Sequence, residues 1–148
     1  MTVGFLYTDC ALSEFRCAGK IGTLPQGESK MSDLQTLKAE LLAFRDARDW
    51  KQFHSLRNLI TSLNLEAAEL LELTQWKSDS EVETLAAEAL GAEALRDECA
   101  DVLLYLLLIA DAAGIDLVDA GHRKLLKNAE KYPVAKAFGS RKKYDKLF

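Results

Sequence analysis

Apolar residues recur every three or four positions along most of this chain, which is the period of an α-helix with one buried face. That spacing predicts five helical segments. They cover residues 33–47, 55–76, 81–89, 92–113 and 116–131. No stretch alternates apolar and polar residues as a half-buried strand does. The sequence therefore predicts an all-α protein, a small bundle of four to five helices.

The first 30 residues do not follow this period. They end in the Pro- and Gly-containing stretch TLPQGESK, after which Ser32 or Asp33 can cap a new helix. We therefore expect residues 1–30 to be an N-terminal extension and residues 31–148 to form a single domain.

The segment 92–113 carries too many apolar residues for one buried face. Residues 102–104 and 106–109 are all Val, Leu or Ile, and together they surround most of the helix circumference. A helix that is apolar nearly all round is buried nearly all round. Because so small a chain has little protein of its own to cover that surface, we expect a second subunit to do so, and thus a homo-oligomer.

Charge is distributed unevenly along the chain. The formal net charge is -4, yet residues 121–148 carry nine Lys or Arg against Glu130 and Asp145, a net of +7, which leaves -11 on residues 1–120. An acidic body with a basic end suits a metal-bound polyphosphate that Lys and Arg hold from the other side. A solvated basic tail would give the same charges. The overall negative charge argues against nucleic-acid binding.

Compartment and membrane signals are weak. The longest apolar run, residues 102–110, is too short to span a bilayer, and no basic stretch precedes an apolar one near residue 1, so we expect no secretory signal. Three cysteines without C-x-x-C spacing indicate free thiols in a reducing compartment. We expect a cytoplasmic protein that does not bind membranes.

Two acidic pairs interrupt the apolar helices. They are Glu66-Ala-Ala-Glu69 and Glu98-Cys-Ala-Asp101. Residues three apart share a helix face, so each pair points two carboxylates the same way. Four carboxylates in a partly dry space repel one another unless a cation neutralises them, and Mg²⁺ prefers such oxygen ligands. The pairs predict a metal site, although one such pair alone is more often a solvated surface.

Aromatic residues are expected near the acids. Tyr105 follows Asp101 by four residues and Trp76 follows Glu69 by seven, both helical spacings. Trp50 and His54 lie in the polar connector between the first two helices and could reach the same opening. An acidic cage beside aromatic walls is typical of a nucleotide site. Taken singly, Tyr105 and Trp76 also fit core or interface positions.

Longer motifs carry a resemblance to a known family. The E-x-x-E and E-x-x-D pairs lie about 30 residues apart and are accompanied by RDWKQFHSLRN, ELTQWK, DECADVLLYL and KLLKNAEKYP. With these motifs, residues 31–148 resemble the MazG-like, all-α nucleoside triphosphate pyrophosphohydrolases, and most closely their dCTP pyrophosphatase branch.

This resemblance implies a reaction and a set of site residues. The reaction is hydrolysis of a dNTP, dCTP or a modified dCTP by preference, to dNMP and pyrophosphate, with four chains per assembly rather than two. The ion is Mg²⁺, with Mn²⁺ as its substitute. The implied metal and catalytic residues are Glu66, Glu69, Glu98 and Asp101. The implied substrate-binding residues are Trp50, His54, Trp76, Tyr105, Lys124 and Asn128.

Two departures from the family pattern are visible. Ala67-Ala68 stands where a glycine is usual, which a helix tolerates. Leu41 stands where the nearest relatives have a substrate-facing histidine, which puts a strict preference for dCTP in doubt.

Two rival interpretations fit the sequence less well, and Gly121 further weakens the first by interrupting its one acid-x-x-His spacing. A di-iron carboxylate bundle needs Glu-x-x-His on two helices, whereas the chain has two histidines and only Asp119-x-x-His122 with such spacing. A non-catalytic, oligomeric helical interaction module explains the apolar long helix but not the acidic pairs, and it predicts no stabilisation by Mg²⁺.

Overall fold

The structure, a computed structural model, describes residues 33–147, and all their regular secondary structure is helical. The helices are α1 (Asp33–Asp46), α2 (Leu56–Glu72), α3 (Asp79–Ala87), α4 (Ala89–Ala113), α5 (Leu117–Lys131) and α6 (Val134–Ala137). Short 3-10 turns occupy Trp50–Phe53 and Tyr144–Lys146. The all-α prediction is confirmed for these residues. The predicted extension, residues 1–30, lies outside them, and the domain boundary stays a prediction.

The core forms where α2 packs along α4 and α1 lies against them. Its buried centre is Leu59 of α2 with Tyr105 and Leu108 of α4. Partly buried apolar residues of all three helices surround this centre: Leu41, Leu42, Leu63 and Ile109. Packing of α2 on α4 matters for the site because these two helices carry the acidic pairs.

Side-chain caps explain where several helices begin. The Ser55 hydroxyl accepts a hydrogen bond from the backbone N–H of Asn58 and caps α2. Ser78 and Glu81 form a reciprocal capping box at the start of α3. The Asp116 carboxylate accepts two backbone N–H groups at the start of α5. These bonds satisfy N–H groups that have no partner within the helix.

The predicted end of the second helix was wrong. The helix ends at Glu72, not at residue 76, because the chain turns there: the Thr74 hydroxyl donates to the Leu71 carbonyl and the Lys77 ammonium to the Leu73 carbonyl. Trp76 follows with φ 64, in the left-handed region. The inference that Trp76 shares a helix face with Glu69 fails for the same reason.

The boundary between α3 and α4 also differs from the prediction. The short helix is Asp79–Ala87 and the long helix starts at Ala89, with Glu88 as the single extended residue between them. Gly91 makes this tight junction possible, because a Cβ there would overlap the Leu85 carbonyl oxygen and side chain. The one-turn helix α6, which begins directly after Pro133, was not predicted.

Much apolar surface remains uncovered within one chain. On α4, Leu103 and Leu106 are 37% and 38% exposed, and on α5, Leu125 and Leu126 are 66% and 68% exposed. The single chain therefore does not bury α4 all round. Among residues 33–147, no helix is both long and apolar enough to cross a membrane.

Candidate metal centre

Three carboxylates converge where α2 packs on α4. Glu66 and Glu69 lie one turn apart on α2, and Glu98 comes from α4. One carboxylate oxygen of each lies within 4.8 Å of the other two. Ligands on opposite sides of a Mg²⁺ ion lie about 4.2 Å apart, so small side-chain rotations would let these three share an ion.

The fourth predicted acid, Asp101, lies beside this acidic triplet (Glu66, Glu69 and Glu98) and is not part of it. Asp101 is half-buried one turn beyond Glu98, and its negative charge helps to raise the pKa of both Glu66 and Tyr105. The structure thus joins three of the four predicted acids closely, with the fourth near enough to act on them electrostatically.

The acids destabilise one another's charged forms. Glu66 is only 8% exposed, and burial, followed by the charges of Asp101, Glu69 and Glu98, raises its pKa to about 7. Burial is also the largest cause of the raised pKa of Glu98 and of Asp101, and charge repulsion adds to it. Such a cluster is best stabilised by a cation that replaces the missing solvation.

Glu98 of the acidic triplet has one carboxylate oxygen that needs a hydrogen-bond donor or a cation. Oε2 of Glu98 is buried and has no hydrogen-bond partner among the described residues. A buried oxygen of an anion without a donor is strongly unfavourable, and a hard divalent cation satisfies it. The donor set of oxygens alone fits Mg²⁺ and Mn²⁺ rather than softer metals.

Tyr105 joins the hydrophobic core to the acids. Its side chain is 7% exposed and shares a hydrogen bond with Ser62 of α2. Burial chiefly raises the pKa of its phenol, and the charges of Glu66 and Asp101 add to the effect. Tyr105 thus lies in the core with Leu59 and Leu108, and its predicted contact with a substrate stays a prediction.

The connector after α1 carries Trp50 and His54. The half-buried Trp50 ring meets Phe44 edge-on, with centroids 5.8 Å apart. Nδ1 of His54 is buried without a hydrogen-bond partner among the described residues. Burial, and next the positive charge of Arg45, lowers the pKa of His54 and so favours its neutral form.

The remaining candidate residues lie at the surface. Trp76 is 94% exposed between α2 and α3. On α5, Lys124 is exposed and Asn128, one turn further on, is half-buried. Their proposed contacts with a substrate stay predictions.

Two further acids that sequence reasoning missed act on the centre. The charge of Asp97 helps to raise the pKa of Asp101 and of Glu98, and that of Glu72 helps to raise the pKa of Glu98. Their spacing could have revealed them. Glu72 follows Glu69 by three residues and Asp97 precedes Asp101 by four, so each continues a helix face that already carries an acid.

The fold and the site define the class of protein: an all-α helical bundle with a carboxylate cluster between two packed helices. Comparison with known proteins identifies the family. The chain belongs to the MazG-like family, which it matches over residues 61–147. This membership confirms the resemblance inferred from the sequence motifs.

Individual relatives agree with this assignment. Rat (Rattus norvegicus) dCTP pyrophosphatase 1 is 42% identical over 120 residues, which cover 81% of this chain and 69% of the relative. Human (Homo sapiens) dCTP pyrophosphatase 1 is 39% identical over the same shares. The crystal structure of a pyrophosphatase from Archaeoglobus fulgidus superposes with a TM-score of 0.65 at 39% identity, covering 73% of this chain and 99% of that one.

Proposed function

We propose that this protein hydrolyses a deoxynucleoside triphosphate, dCTP or a modified dCTP by preference, to the monophosphate and pyrophosphate in a Mg²⁺-dependent reaction. Its class, nucleoside triphosphate diphosphatase, follows from the MazG-like family and from relatives that are pyrophosphatases. The metal, the base and the roles of individual residues are the proposal. A cytoplasmic role in clearing unwanted nucleotides fits that reaction.

The observation that carries the proposal is the acidic triplet with its unpartnered Glu98 oxygen. Glu66, Glu69 and Glu98 would hold the ion, with Asp101 as the fourth acid of the cage. When bound, Mg²⁺ neutralises the triphosphate and lowers the pKa of a coordinated water.

The chain's own residues have distinct roles in the proposed reaction. Glu69 or Glu98 takes the proton of the water that attacks the α–β linkage in line. Lys124, with Arg141 and Lys143 of the basic end, stabilises the charge on departing pyrophosphate.

The nucleoside would be held by the aromatic residues. Trp50 or Trp76 stacks on the base, and His54 and Tyr105 order the sugar edge. Nδ1 of His54 has no hydrogen-bond partner among the described residues, and a buried polar atom of this kind is best satisfied by one. Asn128 is assigned to the base or the phosphates.

We also propose that the active form is a homo-oligomer, a tetramer rather than a dimer. Leu125 and Leu126 are about two-thirds exposed, and Trp76 is almost wholly exposed, within one chain. Large apolar side chains that are this exposed mark an interaction surface. A second copy of the same chain is the most common partner for such a surface.

The test is pyrophosphate release across a panel of canonical and modified NTPs with Mg²⁺, with Mn²⁺ and with EDTA. We expect release with either metal, none with EDTA, and preference for cytosine deoxynucleotides. Glu98→Gln, which keeps the shape and removes the charge, should lower kcat by about 100-fold or more. Glu83→Gln, at an exposed acid of α3, is the control. Full activity of Glu98→Gln, or of wild type in EDTA, would refute the metal-dependent mechanism.

A further inference from the structure

A carboxylate at the end of α4 is held by two cations from α1. The Asp111 Oδ1 lies 3.2 Å from the Lys38 ammonium, and Oδ2 lies 3.3 Å from Nη1 of Arg45. Lys38 and Arg45 are seven residues apart and therefore share one face of α1. We call these three residues the Asp111 clamp. It joins the last turn of α4 to two positions on α1 that lie two turns apart, Lys38 and Arg45, the second of which is in the last turn of α1.

The charges of Asp111 and Arg45 are unfavourable where they lie unless each is paired with an opposite charge. Asp111 lies three residues before the Gly114 cap, so its negative charge meets the negative end of the α4 dipole. Arg45 is only 7% exposed, and a buried guanidinium requires partners. Its Nε also donates to Asp46 Oδ1 at 2.7 Å. Both ion pairs depend on the relative position of α1 and α4, because each joins a side chain of one helix to a side chain of the other.

The clamped turn of α1 leads directly into the connector. Arg45 follows Phe44, whose ring meets Trp50 edge-on and carries the Arg48 guanidinium 3.6 Å from its centroid. Nη1 of Arg48 donates to the Phe44 carbonyl at 3.0 Å and closes this turn. The charge of Arg45 also acts on His54, at the other end of the connector. Trp50 is thus tied to the clamped turn by its ring contact with Phe44, and His54 ends the same short connector, where its backbone N–H donates to the Lys51 carbonyl.

We propose that Asp111 is a positioning residue, which through Arg45 and Lys38 fixes the last turn of α1 and thereby places Trp50 and His54 for the nucleoside. This inference rests on the proposed function, in which those two side chains contact the substrate. Asp111 itself touches neither substrate nor metal. Its loss should therefore weaken nucleotide binding and leave the chemical step intact.

The first test needs no nucleotide. The chain has two tryptophans, so in a Trp76→Phe background Trp50 is the only one that fluoresces. Asp111→Asn should increase acrylamide quenching of Trp50, because its half-buried ring is then held less firmly against Phe44 and becomes more exposed. Asp119→Asn is the matched control, since it breaks the exposed Asp119–Arg123 pair on α5 and should change nothing. Unchanged quenching in folded Asp111→Asn overturns the proposal.

The second test separates binding from turnover in the otherwise wild-type protein. Asp111→Asn should raise KM about fivefold, a usual size for the effect of a residue that acts on a binding site through its neighbours. We expect kcat and the Mg²⁺ concentration at half-saturation to be unchanged. Asp111→Glu should recover part of the loss, and a purely structural role would lower Tm and leave KM unaltered. Lys38→Gln keeps the buried Arg45 paired, so it should fold and raise KM in the same direction by less.

The two proposals fail differently. If wild type releases no pyrophosphate, the proposed function is wrong, and the quenching experiment still decides whether the clamp places Trp50. If wild type is active but Asp111→Asn and Lys38→Gln both keep the wild-type KM, the clamp inference is wrong and the hydrolase assignment stands.

Discussion

At the scale of single residues, Glu66 shows most clearly what the site requires. It is one of two buried charged side chains of the described structure, and three neighbouring acids oppose its ionisation. The sequence could predict this carboxylate and its partners, since helical spacing and apolar neighbours are both visible in it. It could not predict that Asp101 lies beside the triplet, because that depends on how α4 rotates against α2.

The pKa of Glu66 leads to a prediction about pH. In the metal-free protein its folded pKa is about 7, against 4.5 for the ordinary group, so the folded state binds the proton more tightly than the unfolded state. The free energy of unfolding should therefore fall as pH rises from about 4.5 to about 7. We expect Tm in EDTA to fall across that window less steeply in Glu66→Gln than in wild type, and Mg²⁺ to remove most of the loss in wild type. Equal slopes for the two proteins would contradict the burial and repulsion described here.

At the scale of elements, sequence patterns located every helix of nine or more residues within residues 33–147 and misjudged the end of α2 and the junction of α3 with α4. The helical spacing of apolar residues continues past Glu72 in the sequence, but α2 ends there in a turn. The Thr74 hydroxyl and the Lys77 ammonium stabilise this turn by donating to the Leu71 and Leu73 carbonyls. Spacing alone does not reveal such side-chain bonds. The misplacement of Trp76 is a consequence of this one error.

The junction of α3 and α4 offers a matched pair of glycine variants. Gly91→Ala should destabilise the protein by about 1–3 kcal/mol, because its Cβ would meet the Leu85 carbonyl and side chain. Gly121→Ala, in the interior of α5 with nothing within 4 Å of the new Cβ, should instead stabilise by up to about 1 kcal/mol. Urea unfolding measures both. A Gly91→Ala variant as stable as wild type would mean that the close approach is absent.

At the scale of the whole molecule, the apolar excess of the long segment predicted a missing partner, and the fold leaves such surface bare on both α4 and α5. The sequence indicated the first of these surfaces because the apolar residues at 102–104 and 106–109 surround most of the circumference of α4. The sequence did not indicate the exposed apolar surface of α5. Its pattern is that of an ordinary amphipathic helix, whose apolar face is expected to lie against its own chain.

The exposed face of α5 allows a test of assembly. Leu125→Glu and Leu126→Glu change side chains that are about two-thirds exposed, so the single chain should still fold. We expect analytical ultracentrifugation to show smaller species for both than for wild type, because a buried carboxylate opposes the interface. Lys127→Glu, at an exposed charged position of the same helix, is the control. Wild-type sedimentation of both leucine variants would place any interface elsewhere.

The acidic cage can be tested most directly by locating a metal in crystals. An anomalous difference map from crystals grown with Mn²⁺ should show a peak within coordination distance of the Glu66, Glu69 and Glu98 carboxylates, with Oε2 of Glu98 newly paired. A map without a peak there, with those carboxylates turned to solvent, would contradict the account of how this protein binds its metal.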